Sequence, residues 1–243
     1  MKKIYLFLLS HILLSISFGQ FFEGKIIYRL TSVDSSSNFK SIEIDQQYFK
    51  DGNFKVVNID SSYQFEWYDR NKNRYISLLR DADTFKTTFE TLPFHETIKG
   101  FAVQWSLYIN LVNKYYLKMP NSDTIKWTDG SLNHDSIISI YTYKNVAKIL
   151  GYNCDEIVMI CTNGIKKFYY STSNFKVNSK QFIKYKSGNW TDFLLMTNSL
   201  PLMQIEQSDK SYTEIVAIKA EKMKLDEEFF KLPKNLIISK VGN

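Results

Sequence analysis

Hydrophobic and polar residues alternate along much of the chain with a period of two, which is typical of β-strands. Apolar stretches such as residues 24–30, 39–49 and 137–143 are separated by polar turns rich in Asn, Asp, Ser and Gly. This series predicts an antiparallel meander. In residues 98–116 the apolar positions recur at three or four residues as well as at two, so helix and strand both stay open, with helix slightly favoured.

The strongest local signal lies in residues 151–170, where Asn163-Gly164 stands between two runs rich in Ile, Val, Phe and Tyr. This dipeptide favours a hairpin turn whose two central residues both take positive φ. Such a turn fixes which residues face each other across the strands. The predicted pairs are Cys161 with Lys166, Met159 with Phe168 and Ile157 with Tyr170 on one face, and Ile160 with Lys167 and Val158 with Tyr169 on the other.

Both faces of this hairpin are largely apolar, which indicates a sheet covered on both sides or a concave face that holds an apolar ligand. The aromatic stripe within residues 98–116 is a second candidate surface, although such stripes are also typical of core packing. The candidate apolar groove consists of Ile157, Met159, Phe168, Tyr170, Trp105 and Tyr108. The alternative is a sheet whose interior is filled by its own side chains.

Composition agrees with a folded β-protein. The 243 residues are 44% hydrophobic, 23% charged and 16% aromatic, with only 9 Gly and 4 Pro. This length suits a single domain, predicted over residues 20–243. The formal net charge is +6, but the lysines are scattered, so the sequence does not predict nucleic-acid binding.

Residues 1–19 have the pattern of a cleavable signal peptide. Lys2 and Lys3 precede an apolar run at residues 4–16, and Ser17-Phe18-Gly19 has the small-x-small pattern of a cleavage site just before Gln20. The apolar run is short for a bilayer span and no other stretch is long enough, so we expect a protein that does not span the membrane. No cysteine stands directly after the signal, which argues against a lipoprotein. We therefore expect export to the periplasm or cell envelope.

The two cysteines, Cys154 and Cys161, lie seven positions apart in one predicted strand. An uninterrupted strand would separate their Cα atoms by about 23 Å and place them on opposite faces, whereas a disulfide needs about 5.5 Å. We expect two buried, unpaired thiols. No histidine or further cysteine lies at the spacing of a metal site, so no metal or cofactor is predicted.

The sequence offers no catalytic arrangement. His95 and His134 are the only histidines beyond the signal peptide, and His134-Asp135 would point to opposite faces of a strand. The serines lack the Gly-x-Ser-x-Gly setting that exposes a nucleophile, and glycine-rich phosphate loops are absent. We do not expect an enzyme.

Five segments together resemble a family: EGKIIYRL, FEWYDRNKNRYISLL, KILGYNCDEIVMICTNGIKKFYYS, LPLMQIEQSDKSYTEIVAI and LDEEFFKLP. In this order they look like exported proteins of Gram-negative bacteria with a LolA-like fold, related to the GLPGLI group. Where that group has Gly-Leu-Pro-Gly-Leu-Ile, this chain has Ser-Leu-Pro-Leu-Met at residues 199–203.

This resemblance implies a mainly β (α+β) fold: an open, strongly curved antiparallel sheet, or half-barrel, with one or few helices over its concave face. In lipoprotein carriers that shape cups acyl chains, and the resemblance transfers no catalytic residues. The expected function is an envelope binding protein for an apolar ligand such as a lipid or lipoprotein acyl chains. The alternative is a structural or interaction module, without enzymatic activity, that binds an envelope protein.

Overall fold

The computed structural model describes residues 21–34, 39–67, 87–92, 95–101, 106–109, 114–118, 123–131 and 135–240. Within these ranges the side chains of residues 59–115 and 117–118 and of Phe39 are not described. The described strands are β1 Gly24–Asp34, β2 Phe39–Lys50, β3 Asn53–Trp67, β4 Thr87–Leu92, β5 His95–Phe101, β6 Ser106–Ile109, β7 Lys114–Lys118, β8 Thr124–Asp129, β9 Ile137–Ile149, β10 Tyr152–Cys161, β11 Gly164–Tyr170, β12 Pro201–Gln207, β13 Ser211–Lys222 and β14 Ile237–Lys240.

All fourteen described strands belong to one sheet. Its order is β14-β8-β7-β6-β3-β2-β1-β13-β12-β11-β10-β9, and β5 pairs with both β3 and β4. Every described pair of strands is antiparallel except β14 with β8. The first strand therefore lies inside the sheet, because β1 pairs with β2 on one side and with the late strand β13 on the other. The predicted mainly β, open antiparallel sheet is confirmed.

The predicted meander of the first three strands is also confirmed. Asp51-Gly52 connects β2 to β3, and both residues have positive φ, at 46° and 78°. The alternating pattern also predicts an extended stretch at residues 55–59 and a separate strand at 63–68 that forms a hairpin with 74–79, but the described part of the first two stretches belongs to one continuous strand, β3. The proposed hairpin partner of its second half, residues 74–79, lies outside the described residues.

The helix favoured for residues 98–116 is wrong, because the described parts of this segment belong to β5, β6 and β7. Both β5 and β6 pair with the long strand β3, and β6 pairs in turn with β7. Pairing within the sheet satisfies backbone hydrogen bonds of these three strands, so the alternating pattern prevails over the helical one.

The hairpin between β10 and β11 is present, but its predicted register is wrong by two residues. Cys161 pairs with Gly164, so Thr162 and Asn163 are the central residues of the turn. A shift of two leaves each side chain on its predicted face, whereas a shift of one would exchange the faces. The observed pairs include Ile157 with Phe168, Val158 with Lys167, Met159 with Lys166 and Ile160 with Ile165.

Asp135 explains the displaced turn. Its Oδ1 accepts hydrogen bonds from the Asn163 amide and the Thr162 hydroxyl, both at 3.0 Å. Neither Thr162 nor Asn163 takes the positive φ that a type I′ turn requires. Gly164 is needed for another reason: a Cβ there would lie 2.1 Å from the carbonyl oxygen of Gln207 in β12.

One contiguous core lies against the sheet beneath the connection between β11 and β12. This connection contains 3₁₀ turns at Ser179–Phe182 and Ser187–Asn189 and the helix α1 Trp190–Thr197, which the sequence did not predict. Phe193 of α1 stacks on Phe168 of β11, with ring centroids 4.5 Å apart and planes 15° from parallel. The sequence of residues 225–233 predicts a single helical turn, and the structure has a 3₁₀ turn at Glu227–Phe230. No helix among the described residues is long and apolar enough to cross a bilayer.

Both cysteines are buried and unpaired, as predicted. Their expected placement on opposite faces is wrong, because the pairing of β9 with β10 shifts register between Cys154 and Glu156 and both thiols enter the same core. Asp155 lies at this bulge and accepts hydrogen bonds from the Asn145 amide at 3.0 Å and the Lys144 ammonium at 2.7 Å.

Candidate binding pocket

The four hairpin residues of the predicted groove lie in the core. The exposed fractions of Ile157, Met159, Phe168 and Tyr170 are 2%, 0%, 0% and 5%. Phe193 covers them from above by stacking on Phe168 and packing edge-on against Tyr170. These side chains therefore form packed interior in this structure rather than a groove open to solvent.

The other two predicted groove residues lie elsewhere. Trp105 is outside the described residues. Tyr108 belongs to β6, where it pairs with Lys55 of β3 and Tyr116 of β7. Six strands separate β6 from β10 in the sheet order, so the structure does not bring Tyr108 next to the hairpin.

An open pocket lies on the same face of the sheet, beside this core. Its volume is about 270 Å³, and it is enclosed by β1, β2, β3, β12, β13 and the segment 185–190. Most of its lining is aromatic or aliphatic, and one wall is polar. The apolar lining consists of Tyr28, Phe49, Phe54, Val56, Tyr185, Trp190, Pro201, Met203 and Ile215; the polar lining consists of Asp45, Gln47, Ser187, Gly188, Gln204 and Glu206.

Three aromatic rings form a mutually contacting cluster at the apolar side of the pocket. The Phe54 centroid lies 5.2 Å from Trp190 and 5.8 Å from Tyr185, and the last two are 5.9 Å apart. Phe49 stacks on Phe54 at 5.6 Å. Gly188 helps to present Trp190, because the chain turns through a positive φ of 66° just before α1 begins. The cluster gives the pocket a wall of ring surface suited to an apolar ligand.

Asp45 is the buried acid of the polar wall, with an exposed fraction of 5%. Asn58 Nδ2 donates to Asp45 Oδ1 at 3.0 Å and also to Glu43 Oε2 at 3.2 Å. Burial raises the pKa of Asp45 to about 6, while the hydrogen bond from Asn58 limits the rise. The wall thus holds a carboxyl that has lost most of its hydration and gained one donor.

Tyr28 faces Asp45 across the sheet, since the two are register partners in β1 and β2. Its hydroxyl donates to the carbonyl oxygen of Pro201 at 2.7 Å. Burial raises the pKa of Tyr28 well above its ordinary value, so the phenol keeps its proton. The hydroxyl has one hydrogen to donate, and the Pro201 carbonyl accepts it, so Tyr28 donates no hydrogen bond to Asp45.

A largely buried ion pair between Lys166 and Asp135 lies in the core. Lys166 is 9% exposed, and its Nζ lies 2.9 Å from both Asp135 Oδ2 and Asn189 Oδ1. Asn189 Nδ2 in turn donates to the Asp135 carbonyl at 2.9 Å. Burial alone would raise the pKa of Asp135, but hydrogen bonds from Lys166, the Asn163 amide and the Thr162 hydroxyl hold it below its ordinary value.

Asp135 therefore has a structural role in joining the hairpin turn to the start of α1. His134, which precedes Asp135 and was considered with it as a catalytic pair, lies outside the described residues. Among the described residues, no three His, Cys, Asp or Glu side chains come together as a metal site would require.

No family model matches the chain, and no curated protein matches its sequence.

Sequence reasoning missed the residues that build the pocket. Asp45 lies in an ordinary alternating strand, and Tyr185 and Trp190 lie in a connection that reads as a loop. The density of aromatic residues around 182–193 was the available signal, because a loop seldom needs so much ring surface unless it packs on something.

Proposed function

We propose that this is an exported protein of the periplasm or cell envelope that binds an apolar ligand, such as a lipid or lipoprotein acyl chains, in the pocket beside α1. The pocket carries this proposal, since it is an open cavity with a cluster of aromatic rings on one side. Cavities that are mostly apolar with a few polar groups are the usual form of small-molecule sites.

Two further observations support the proposal. The N-terminal pattern of residues 1–19 favours export, and the resemblance to LolA-like proteins implies a sheet whose concave face takes acyl chains. The ligand site differs from the predicted groove, because the hairpin residues are covered by α1 while the sheet beside them stays open. The half-barrel shape and the concave site are part of this proposal.

A pocket-blocking variant tests the proposal. Ser187→Trp places a large ring at the pocket wall, and Thr172→Trp, in an exposed part of the same connection, is the matched control. Protein purified from its native envelope should release bound lipid on extraction, and titration with a fluorescent lipid that carries no negative charge should give saturable binding. We expect Ser187→Trp to lose both and Thr172→Trp to retain both. Recovery of lipid-free wild type that takes up no fluorescent probe would contradict the proposal.

A second candidate function is that of an envelope protein-interaction module, favoured by the outer strand β9. Among the described strands β9 pairs only with β10, and it exposes apolar side chains on a long edge. The exposed fractions of Ile138, Tyr141 and Tyr143 are 68%, 52% and 48%. A free edge can accept a strand from another protein. A photocrosslinker at Ile138 should then capture an envelope protein in cells while one at Thr172 does not; equal labelling at both would contradict this function.

A further inference from the structure

We infer that the pocket recognises an organic cation, with an ammonium group placed against Asp45 and an apolar body placed against the aromatic cluster of Phe54, Tyr185 and Trp190. This inference rests on the proposed function, because it names the chemical class of ligand that the same pocket takes. It follows from the balance of hydrogen-bond donors and acceptors in the polar wall.

The first step concerns the unused oxygen of Asp45. Among the described residues, Asn58 is the only one whose side chain donates to this carboxyl, and it reaches Oδ1. Oδ2 has no such donor, although Asp45 is 95% buried and lines the pocket. A buried carboxylate with an empty acceptor is costly, and a donor that enters the pocket would remove that cost.

The second step is that the donors of the two register partners of Asp45, Tyr28 in β1 and Asn58 in β3, are already used. The Tyr28 hydroxyl donates to Pro201, and the Asn58 amide nitrogen is shared between Asp45 and Glu43. No protein cation fills the gap, since the described residues that line the pocket include neither Lys nor Arg. Lys166, which pairs with Glu206 across β11 and β12, gives its ammonium to Asp135 and Asn189 instead.

The third step distinguishes a cation from a neutral or anionic ligand. Glu206, another acid of the lining, has its Oε1 bonded by Gln204 Nε2 at 2.6 Å, so two carboxyls face the same cavity. An anion would meet repulsion from both. A neutral hydroxyl would supply one donor but no charge, whereas an ammonium supplies three donors and a charge. Aromatic faces also attract cations, most strongly where water is excluded.

Three ligands with the same six-carbon chain separate these cases: hexylammonium, hexan-1-ol and hexanoate. Each is titrated into the purified protein at about pH 7.5 by isothermal calorimetry, with the fluorescence of the tryptophans as a second signal. The variants are Asp45→Asn, which removes the charge from the pocket, and Asp51→Asn, which removes the same charge from an exposed turn. Asp51 has the positive φ of 46° that Asn tolerates well, so the control should keep its fold.

We expect hexylammonium to bind the wild type at least about tenfold more tightly than hexan-1-ol, and hexanoate to bind most weakly. Asp45→Asn should reduce the affinity for hexylammonium to that for hexan-1-ol, and Asp51→Asn should change neither. Equal affinities of hexylammonium and hexan-1-ol for the wild type would overturn this inference and leave the proposed function standing. Binding of none of the three, together with lipid-free protein from the envelope, would overturn both. An undiminished preference for the cation in Asp45→Asn would overturn the role of Asp45.

Discussion

Replacing Asp45 with asparagine should stabilise the protein, and the gain should depend on pH. The side chain is 5% exposed and receives one described donor, Asn58. Asparagine is nearly isosteric, and its carbonyl oxygen can still accept that hydrogen bond. The change therefore removes a buried charge without opening a cavity.

The size of the effect follows from the raised pKa of Asp45, about 6 in the folded protein against an ordinary value of 3.8. The folded state then holds its proton more tightly than the unfolded state, so the cost of the charge is absent at pH values below 3.8 and grows as the pH rises through about 6. The difference of about two pKa values corresponds to about 3 kcal/mol at pH 7 and above. Linkage gives about 1.5 kcal/mol at pH 5 and about 0.5 kcal/mol at pH 4.

Urea unfolding of the wild type, Asp45→Asn and Asp51→Asn between about pH 4 and 8 measures this difference directly. The comparison with the wild type removes the opposite trends of Asp135 and Asp155, whose lowered pKa values make the folded state lose stability as the pH falls. We expect the advantage of Asp45→Asn to grow between about pH 4 and 7 and to exceed any effect of Asp51→Asn. An Asp45→Asn variant less stable than the wild type at pH 7 would refute the reasoning, because it would mean that the folded protein stabilises the ionised carboxyl.

Three further predictions concern the hairpin and its surroundings. Met159→Lys places an ammonium at a fully buried position and should abolish the cooperative thermal melt. Burying an unpaired charge costs several kcal/mol, which is comparable with the total stability of a domain. A normal melt would contradict the core position of Met159. Gly164→Ala should lower the free energy of unfolding by about 2 kcal/mol, and Gly151→Ala should lower it by less. Of the two, only Gly164→Ala places a Cβ 2.1 Å from a backbone oxygen. Equal losses of stability in denaturant titrations would contradict this prediction. Lys166→Met deprives the largely buried Asp135 of its ion-pair partner and should lower the free energy of unfolding, measured in urea, by about 3 kcal/mol. A gain in stability would show that the ion pair is dispensable.

Local patterns predicted most strands and several of the polar turns between them, but not the pairing that long-range contacts decide. Asp51-Gly52 forms the turn with two positive φ values that its sequence favours. Asn163-Gly164 has the same type of sequence, yet the carboxylate of Asp135 holds the turn one position earlier. Asp135 is remote in sequence from the turn, so no local pattern could reveal this hydrogen bond.

The candidate pocket was less predictable than the sheet. Alternation in β2 would place Ile42 and Ile44 inward, but Ile42 is 38% exposed while Ser41 and Asp45 are 2% and 5% exposed. The bulge in the pairing of β2 with β3 places its extra residue in β3, so alternation continues along β2 and Ser41 and Asp45 lie on the same face as the buried Phe49. A binding pocket needs polar residues on the inner face of the sheet. A prediction of the core from hydrophobic pattern assigns such residues to the outer face, so it misses them.

The position of β1 inside the sheet has a consequence for how the chain folds. Synthesis proceeds from the N-terminus, so β1, β2 and β3 can associate early, whereas the second neighbour of β1 is β13 at Ser211–Lys222. Until that strand has been made, the backbone groups of β1 that will bond to it have no partner in the sheet. Closing so distant a pair is slow, and an open strand edge invites pairing with other chains during that interval. The β1 edge of the newly made chain therefore stays open to pairing with other chains until residues 211–222 have been made.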